Sequence, residues 1–63
     1  MGERDREVYF EFTVVGTVVK VAAIDAETGL EVAVMGPAKA ARADLERLAL
    51  QKLKAQLAKG SPA

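Results

Sequence analysis

Three charged side chains and one hydroxyl fall on the same face of the sheet that this sequence predicts. In the expected strand pairing, Thr13 lies opposite Lys20, Glu11 lies diagonal to Lys20, and Glu31 follows on the next strand. A carboxylate beside a lysine can serve in general acid–base catalysis. Sheets use the same combination as an ion pair between neighbouring strands, and we favour that structural role. If this face is buried in a dimer, the Lys20–Glu11 pair would set the strand register more than it would add stability.

A second group of carboxylates, Asp25, Glu27 and Glu31, lies close enough in sequence to suggest a calcium loop. Their spacing lacks the alternating oxygen ligands and the final glutamate of an EF-hand. Turn formation explains Asp25 better, because Asp favours the first turn position and Gly29 suits a position of positive φ. The sequence has no cysteine and no histidine, which removes the usual zinc ligands and the commonest general base. We therefore predict no metal site, no cofactor and no catalytic residue.

The aromatic side chains Tyr9, Phe10 and Phe12 could in principle stack on nucleobases. Both phenylalanines belong to the predicted core face, however, and one tyrosine is a poor stacking platform. The nine basic and nine acidic residues of the chain balance, so its net charge gives no long-range attraction to nucleic acid or to a membrane surface. Packing in a core or an interface is the expected role of these aromatic residues.

These side chains are positioned by three predicted strands. Residues Val8 to Val15 alternate and are rich in β-branched and aromatic types, which predicts the first strand. Gly16-Thr17 has the form of a type II′ turn, and the second strand follows over Thr17 to Asp25. With Ala26 to Gly29 as the next loop, the third strand is predicted over Leu30 to Met35, and Gly36-Pro37 is expected to end the sheet.

The register of both hairpins follows from the turns and from the apolar pattern. A two-residue first turn places Val14, Phe12 and Phe10 opposite Val19, Val21 and Ala23. The second loop then pairs Ala23 with Val32 and Val21 with Val34, which keeps the same apolar set on one face. Agreement between two independent hairpins supports the assignment.

From about Ala38 the composition changes to good helix formers. The predicted core stripe of this helix consists of apolar residues at four-residue spacing, with Leu50 alongside: Leu45, Ala49, Leu53 and Leu57. Leu48 lies about 60° outside the stripe, at 100° per residue. The start of the helix is poorly marked, because no capping side chain precedes Asp44. Gly60 and Pro62 are typical of a helix end.

The predicted fold class is α+β: a three-stranded antiparallel β-meander followed by one C-terminal α-helix, in the order βββα. We expect residues 1–7 to form a flexible N-terminal lead-in, residues 8–59 a single domain, and residues 60–63 a C-terminal tail. No apolar run approaches the roughly 20 residues of a membrane span, and the charged amino end lacks the apolar centre of a signal peptide. A cytoplasmic protein without membrane association is the expectation.

The predicted strands are apolar on both faces, although only one helix follows to cover them. That helix can keep only one face of a sheet from water, so the other face must meet another chain or remain exposed. The predicted self-association surface consists of Tyr9, Val18, Ile24, Ala33, Met35 and Leu48. Its geometry is left open between face-to-face packing of two sheets, pairing of edge strands and exchange of helices.

Several strings of the sequence resemble a family of short alphaproteobacterial proteins that is classed as a domain of unknown function. The similarity is carried by residues 7–12, Gly16, residues 19–21, residues 23–25, Thr28-Gly29, Glu31-Val32 and Gly36-Pro37, and it continues through Leu45, Ala49 and Lys52-Leu53. Ala41 departs from the capping serine that the resemblance leads one to expect. The resemblance implies no established activity. Some members carry a serine hydroxymethyltransferase label, which we reject because that enzyme is several times longer and needs a full pyridoxal-phosphate pocket.

These observations favour a small non-enzymatic homodimer that serves as an interaction or structural module, with an unknown protein partner. The alternative is a nucleic-acid-binding module, because a three-stranded sheet backed by a helix resembles the plant AP2-type DNA-binding domain. That use needs arginines on the open face, where the sequence offers Lys20 among Glu11 and Glu31. An enzyme is the third and least favoured class.

Overall fold

The computed structural model describes residues 7–59, which form three strands and one helix. The elements are β1 (Val8–Val15), β2 (Val18–Asp25), β3 (Glu31–Pro37) and α1 (Arg42–Ala58). The sheet is antiparallel with the strand order β1-β2-β3, so β2 lies in the middle. The predicted α+β fold in the order βββα is confirmed.

The first hairpin has the predicted register. Phe12 pairs with Val21 and Val14 pairs with Val19 across β1 and β2. Gly16 has a φ of 62°, whereas Thr17 does not have a positive φ. A type II′ turn requires this combination, because only its first central residue adopts a positive φ. Glycine at the first position therefore determines the turn and, through it, the pairing of both strands.

The second hairpin also has the predicted register, with Val21 opposite Val34 and Ala23 opposite Val32. Gly29 ends the loop with a φ of 79°, as the turn pattern predicted. Because side chains alternate along a strand, this register brings Phe12, Val21 and Val34 onto one face. Lys20 and Glu11 lie on the other face and are exposed.

Three strand ends differ from the sequence prediction. β2 begins at Val18 instead of Thr17, and β3 runs from Glu31 to Pro37 instead of from Leu30 to Met35. The sheet therefore includes Gly36 and Pro37, where it was expected to end. The amide of Ala38 donates a hydrogen bond to the carbonyl oxygen of Thr17, so even-numbered residues of β3 face β2. The nitrogen of Pro37 faces outward at the sheet edge, where the lack of an N–H breaks no pairing.

Helix α1 begins at Arg42, four residues after the composition changes at Ala38. Its N-cap residue, Ala41, makes no side-chain hydrogen bond, consistent with the weak start that the sequence indicates. In the first turn, the carboxylate of Asp44 accepts a 2.7 Å hydrogen bond from the guanidinium of Arg47. The predicted stop at Gly60 and Pro62, the lead-in up to residue 6 and the tail over residues 60–63 lie outside the described residues.

The core lies between α1 and the strands β2 and β3. Its buried apolar side chains are Val19, Val21, Ala23, Val32, Leu45, Ala49 and Leu53. The three helical residues are the first three of the predicted stripe, and Leu57 packs against this core partly buried. Gly36 allows the helix to approach closely, because a Cβ atom there would lie 2.7 Å from Cδ2 of Leu45.

Strand β1 is less covered than the sequence predicts. We expected α1 to cover the whole apolar face, but it packs mainly on β2 and β3. Phe10 and Phe12 are therefore only partly buried against the core, and Val14 is 55% exposed. The helix is about 10 Å across and strands are about 4.8 Å apart, so one helix spans about two strands.

The phase of the helix leads to a first prediction. Replacing Leu53 by Ala should lower the free energy of unfolding by roughly 2–4 kcal/mol, because Leu53 is fully buried and its loss leaves a cavity. Replacing the exposed neighbour Lys54 by Ala should change it by less than about 0.5 kcal/mol. Urea denaturation followed by circular dichroism measures both, and equal effects would contradict the assigned phase.

Candidate self-association surface

The face of the sheet opposite α1 contains five of the six residues predicted for self-association. Tyr9, Val18 and Met35 are exposed large apolar side chains on this open face. Ile24 and Ala33 lie on the same face but are half-buried among their neighbours on the strands. The structure therefore brings these five residues onto one surface.

Charged residues interrupt this surface. Val18 and Met35 lie towards the β1–β2 turn, whereas Tyr9 is paired with Ile24 near the other end of the sheet. Lys20 is directly opposite Met35, Glu31 is opposite Ile24, and Glu11 is the next residue of β1 after Tyr9 on this face; all three charged side chains are exposed. Within the described strands, Glu11 and Lys20 form no ion pair with each other, although the sequence suggested one. The open face is therefore a mixed surface of apolar and charged side chains.

Leu48, the sixth residue of the predicted surface, lies on the other layer of the molecule. It is on α1, is 51% exposed, and precedes Lys52 by four residues on the same flank of the helix. The ammonium group of Lys52 donates a 2.9 Å hydrogen bond to the carbonyl oxygen of Ala33. Leu48 thus flanks the β3 edge of the sheet and is not continuous with the open face.

Two exposed apolar residues of β1 were absent from the predicted surface. Val15 is 70% exposed on the open face, and Val14 is exposed on the helix-facing side. The sequence analysis assigned Val14 to the core face because its cross-strand partner Val19 belongs to the core. The exposure of Val14 could have been predicted from the width of one helix, because a helix that packs on β2 and β3 does not also cover β1.

The ring of Phe12 is partly covered by a cation. The guanidinium carbon of Arg42 lies 4.8 Å from the ring centroid, at cation–π distance. Arg42 is at the first turn of α1, so this contact ties the start of the helix to β1. Phe12 also packs against the core, as expected for a structural role.

The carboxylate of Asp25 organises the β2–β3 loop. Its Oδ2 atom accepts hydrogen bonds from the backbone amide of Thr28 at 2.9 Å and from the Thr28 hydroxyl at 2.7 Å. The Thr28 Oγ1 atom in turn accepts a hydrogen bond from the Leu30 amide. Asp25 is fully buried. This is the turn role that the sequence predicted for Asp25, and among residues 7–59 no three acidic side chains cluster as a metal site would require.

The comparisons with known proteins identify the family. A family model described as a domain of unknown function, DUF6898, matches residues 5–60. The chain belongs to this family. No curated protein and no solved structure matches it significantly.

The DUF6898 match includes all three strands and the helix, so the family corresponds to the whole βββα unit. The resemblance to a family of unknown function is thereby confirmed at this level. In the part of the chain that the structure describes, no helix has both the length and the apolar character needed to cross a bilayer.

The loop geometry leads to a second prediction. Replacing Asp25 by Ala should lower the free energy of unfolding by roughly 1–3 kcal/mol, because the Thr28 amide and hydroxyl lose a buried acceptor. Asp25→Asn keeps an acceptor oxygen and should cost less. Thermal unfolding of the two variants tests this difference, and an Asn variant as destabilised as the Ala variant would contradict it.

Proposed function

We propose that this DUF6898 protein is a non-enzymatic interaction or structural module that works as a homodimer. The observation that carries the proposal is the set of large apolar side chains that the single chain leaves exposed on β1, with Val15 at 70%, Val14 at 55% and Tyr9 at 53%. A second copy of the chain is the partner that removes such surface from water without requiring another protein.

The size of the domain supports association. A domain of 63 residues buries a small core, and this sequence has no cysteine with which to add a disulfide. Domains of this size often gain stability by oligomerising. Here the helix covers two strands of three, so the remaining strand gains the most from a partner.

The composition supports a non-enzymatic role. The sequence has neither histidine nor cysteine, and the exposed carboxylates Glu11 and Glu31 lie on a flat sheet face beside Lys20. General acid–base catalysis needs a site that holds the substrate within hydrogen-bond reach of the catalytic groups. A flat exposed face does not enclose a substrate in this way.

Nucleic-acid binding is the alternative that an open sheet face backed by a helix suggests. Phosphate recognition needs several cations on that face. Lys20 is accompanied there by Glu11 and Glu31, and the phenylalanines of β1 point towards the helix side. These features favour the homodimer. A cytoplasmic location and an alphaproteobacterial origin stay predictions.

The proposal predicts a dimer in solution. Light scattering coupled to size-exclusion chromatography of the full chain should give twice the monomer mass at micromolar concentration and a shift towards monomer on dilution. Val15→Glu should shift this equilibrium towards monomer at least tenfold, because a charge would replace an exposed apolar contact; tenfold corresponds to about 1.4 kcal/mol.

Ala55→Glu is the matched control, since it adds the same charge at an exposed helix position and should leave the mass unchanged. Ile24→Glu should also disrupt the dimer, because Ile24 is the cross-strand neighbour of Tyr9 on β1. Ile24 is half-buried, so the fold of this variant must be checked by circular dichroism. A folded wild-type protein that is monomeric at every concentration would contradict the proposed function.

A further inference from the structure

The two edges of the sheet are not equivalent, and their difference indicates how two copies associate. The amide of Ala26 donates to the carbonyl oxygen of Glu7, so odd-numbered residues at this edge face β2. Even-numbered residues of β1 therefore direct their amides and carbonyls outward. Among residues 7–59, the outward groups of Phe10, Phe12 and Val14 have no hydrogen-bond partner.

Strand β1 lacks most of the features that prevent edge pairing. It contains no proline, no lysine and no glycine, and its one charged residue is Glu11. Its other residues are Thr13 and strand-favouring apolar or aromatic types. An exposed edge of this composition readily pairs with another strand.

Two features protect the edge of strand β3 against pairing. Pro37 has no N–H that could donate at the edge. The Lys52 ammonium group donates a hydrogen bond to the outward carbonyl oxygen of Ala33, which is therefore not free to accept one from another strand. Charged lysines and prolines are the usual means by which proteins protect an edge. With one edge open and the other protected, pairing through β1 closes after two copies and does not extend into a fibre.

We propose that β1 pairs antiparallel with β1 of a second copy about a two-fold axis at Phe12, joining the two three-stranded sheets into one sheet of six strands. The proposal rests on the proposed homodimer and specifies its geometry. Phe12 would pair with its own copy, and Phe10 would exchange backbone hydrogen bonds with Val14 of the partner subunit. Both helices would lie on the same face of the joined sheet.

The position of α1 leaves room for this pairing. Because α1 packs on β2 and β3, strand spacing places the two helix axes about 19 Å apart in the joined sheet. Packed helices need 8–10 Å, so the helices do not obstruct the approach of the two edges. A helix centred over all three strands would have stood closer to the axis.

Side-chain pairing selects the axis at Phe12. On the open face, this register places Tyr9 opposite Val15 and Glu11 opposite Thr13, so the most exposed apolar residue of β1 gains an aromatic partner. An axis at Glu11 would place two carboxylates directly opposite each other, which is destabilising. An axis at Phe10 would leave Val15 without a partner from β1.

A disulfide experiment tests both the edge and the register. The chain has no native cysteine, and positions 11 and 13 are exposed on the open face, so Glu11→Cys and Thr13→Cys should fold normally. In the proposed register, position 11 of one copy and position 13 of the other form a non-hydrogen-bonded pair. Their Cα atoms would be about 4.5 Å apart, within disulfide range.

Each variant is purified reduced and then oxidised with glutathione, alone and in a 1:1 mixture, and the products are identified by intact mass. The mixture should give the mixed disulfide at least tenfold faster than either variant gives its own dimer, because like positions are diagonal, about 7–8 Å apart. Met35→Cys on β3, mixed with Glu11→Cys, is the matched control and should not cross-link.

Light scattering of the reduced variants separates the possible failures. A dimer without the mixed disulfide, or one in which Glu11→Cys cross-links fastest to itself, would overturn the β1 geometry and leave the homodimer standing. A monomer by light scattering would overturn both proposals. A reduced dimer that yields mainly the mixed disulfide supports both.

Discussion

The width of one helix is the constraint on which the rest of this structure depends. An α-helix covers about two strands, and this sheet has three. Helix α1 packs on β2 and β3, where Gly36 lets Leu45 approach the backbone and where Lys52 reaches the outer strand. The core is therefore displaced towards β3, and β1 remains half-covered on its inner face. The exposure of Val14 and the partial burial of Phe10 and Phe12 follow from this displacement.

The same displacement gives the two sheet edges different properties. The helix side chain that hydrogen-bonds to Ala33 protects β3, and Pro37 removes a donor from that edge. No equivalent protection reaches β1 within the described residues. Arg42 covers one face of the Phe12 ring and makes no hydrogen bond to the outward backbone of β1. The proposed dimer uses this asymmetry, because one open edge for each chain gives a closed pair.

Turn chemistry and side-chain alternation were sufficient to predict the strands and their register. Gly16 and Gly29 occupy positive φ positions that few other residues tolerate, so each turn had one plausible alignment. The spacing of the apolar residues predicted the core stripe of the helix. The residue at which the helix starts could not be predicted, because Ala41 has no side chain that could cap it. Pro37 was predicted to end the sheet, because proline cannot donate the hydrogen bond that a central strand needs. In the edge strand β3 its nitrogen faces outward, where no N–H is required, so the strand includes it. The lateral position of α1 depends on tertiary packing, so the position of Leu48 relative to the open face could not be judged from sequence.

Amide hydrogen exchange of the wild-type protein, followed by NMR at high and low concentration, tests the central claim most directly. The account predicts that the outward amides of Phe10, Phe12 and Val14 are protected at high concentration and lose that protection on dilution. The outward amide of Met35 on β3 should exchange rapidly at both concentrations, because it has no hydrogen-bond partner among residues 7–59 and lies outside the proposed β1 pairing. Rapid exchange of the three β1 amides at every concentration would contradict the pairing of this edge.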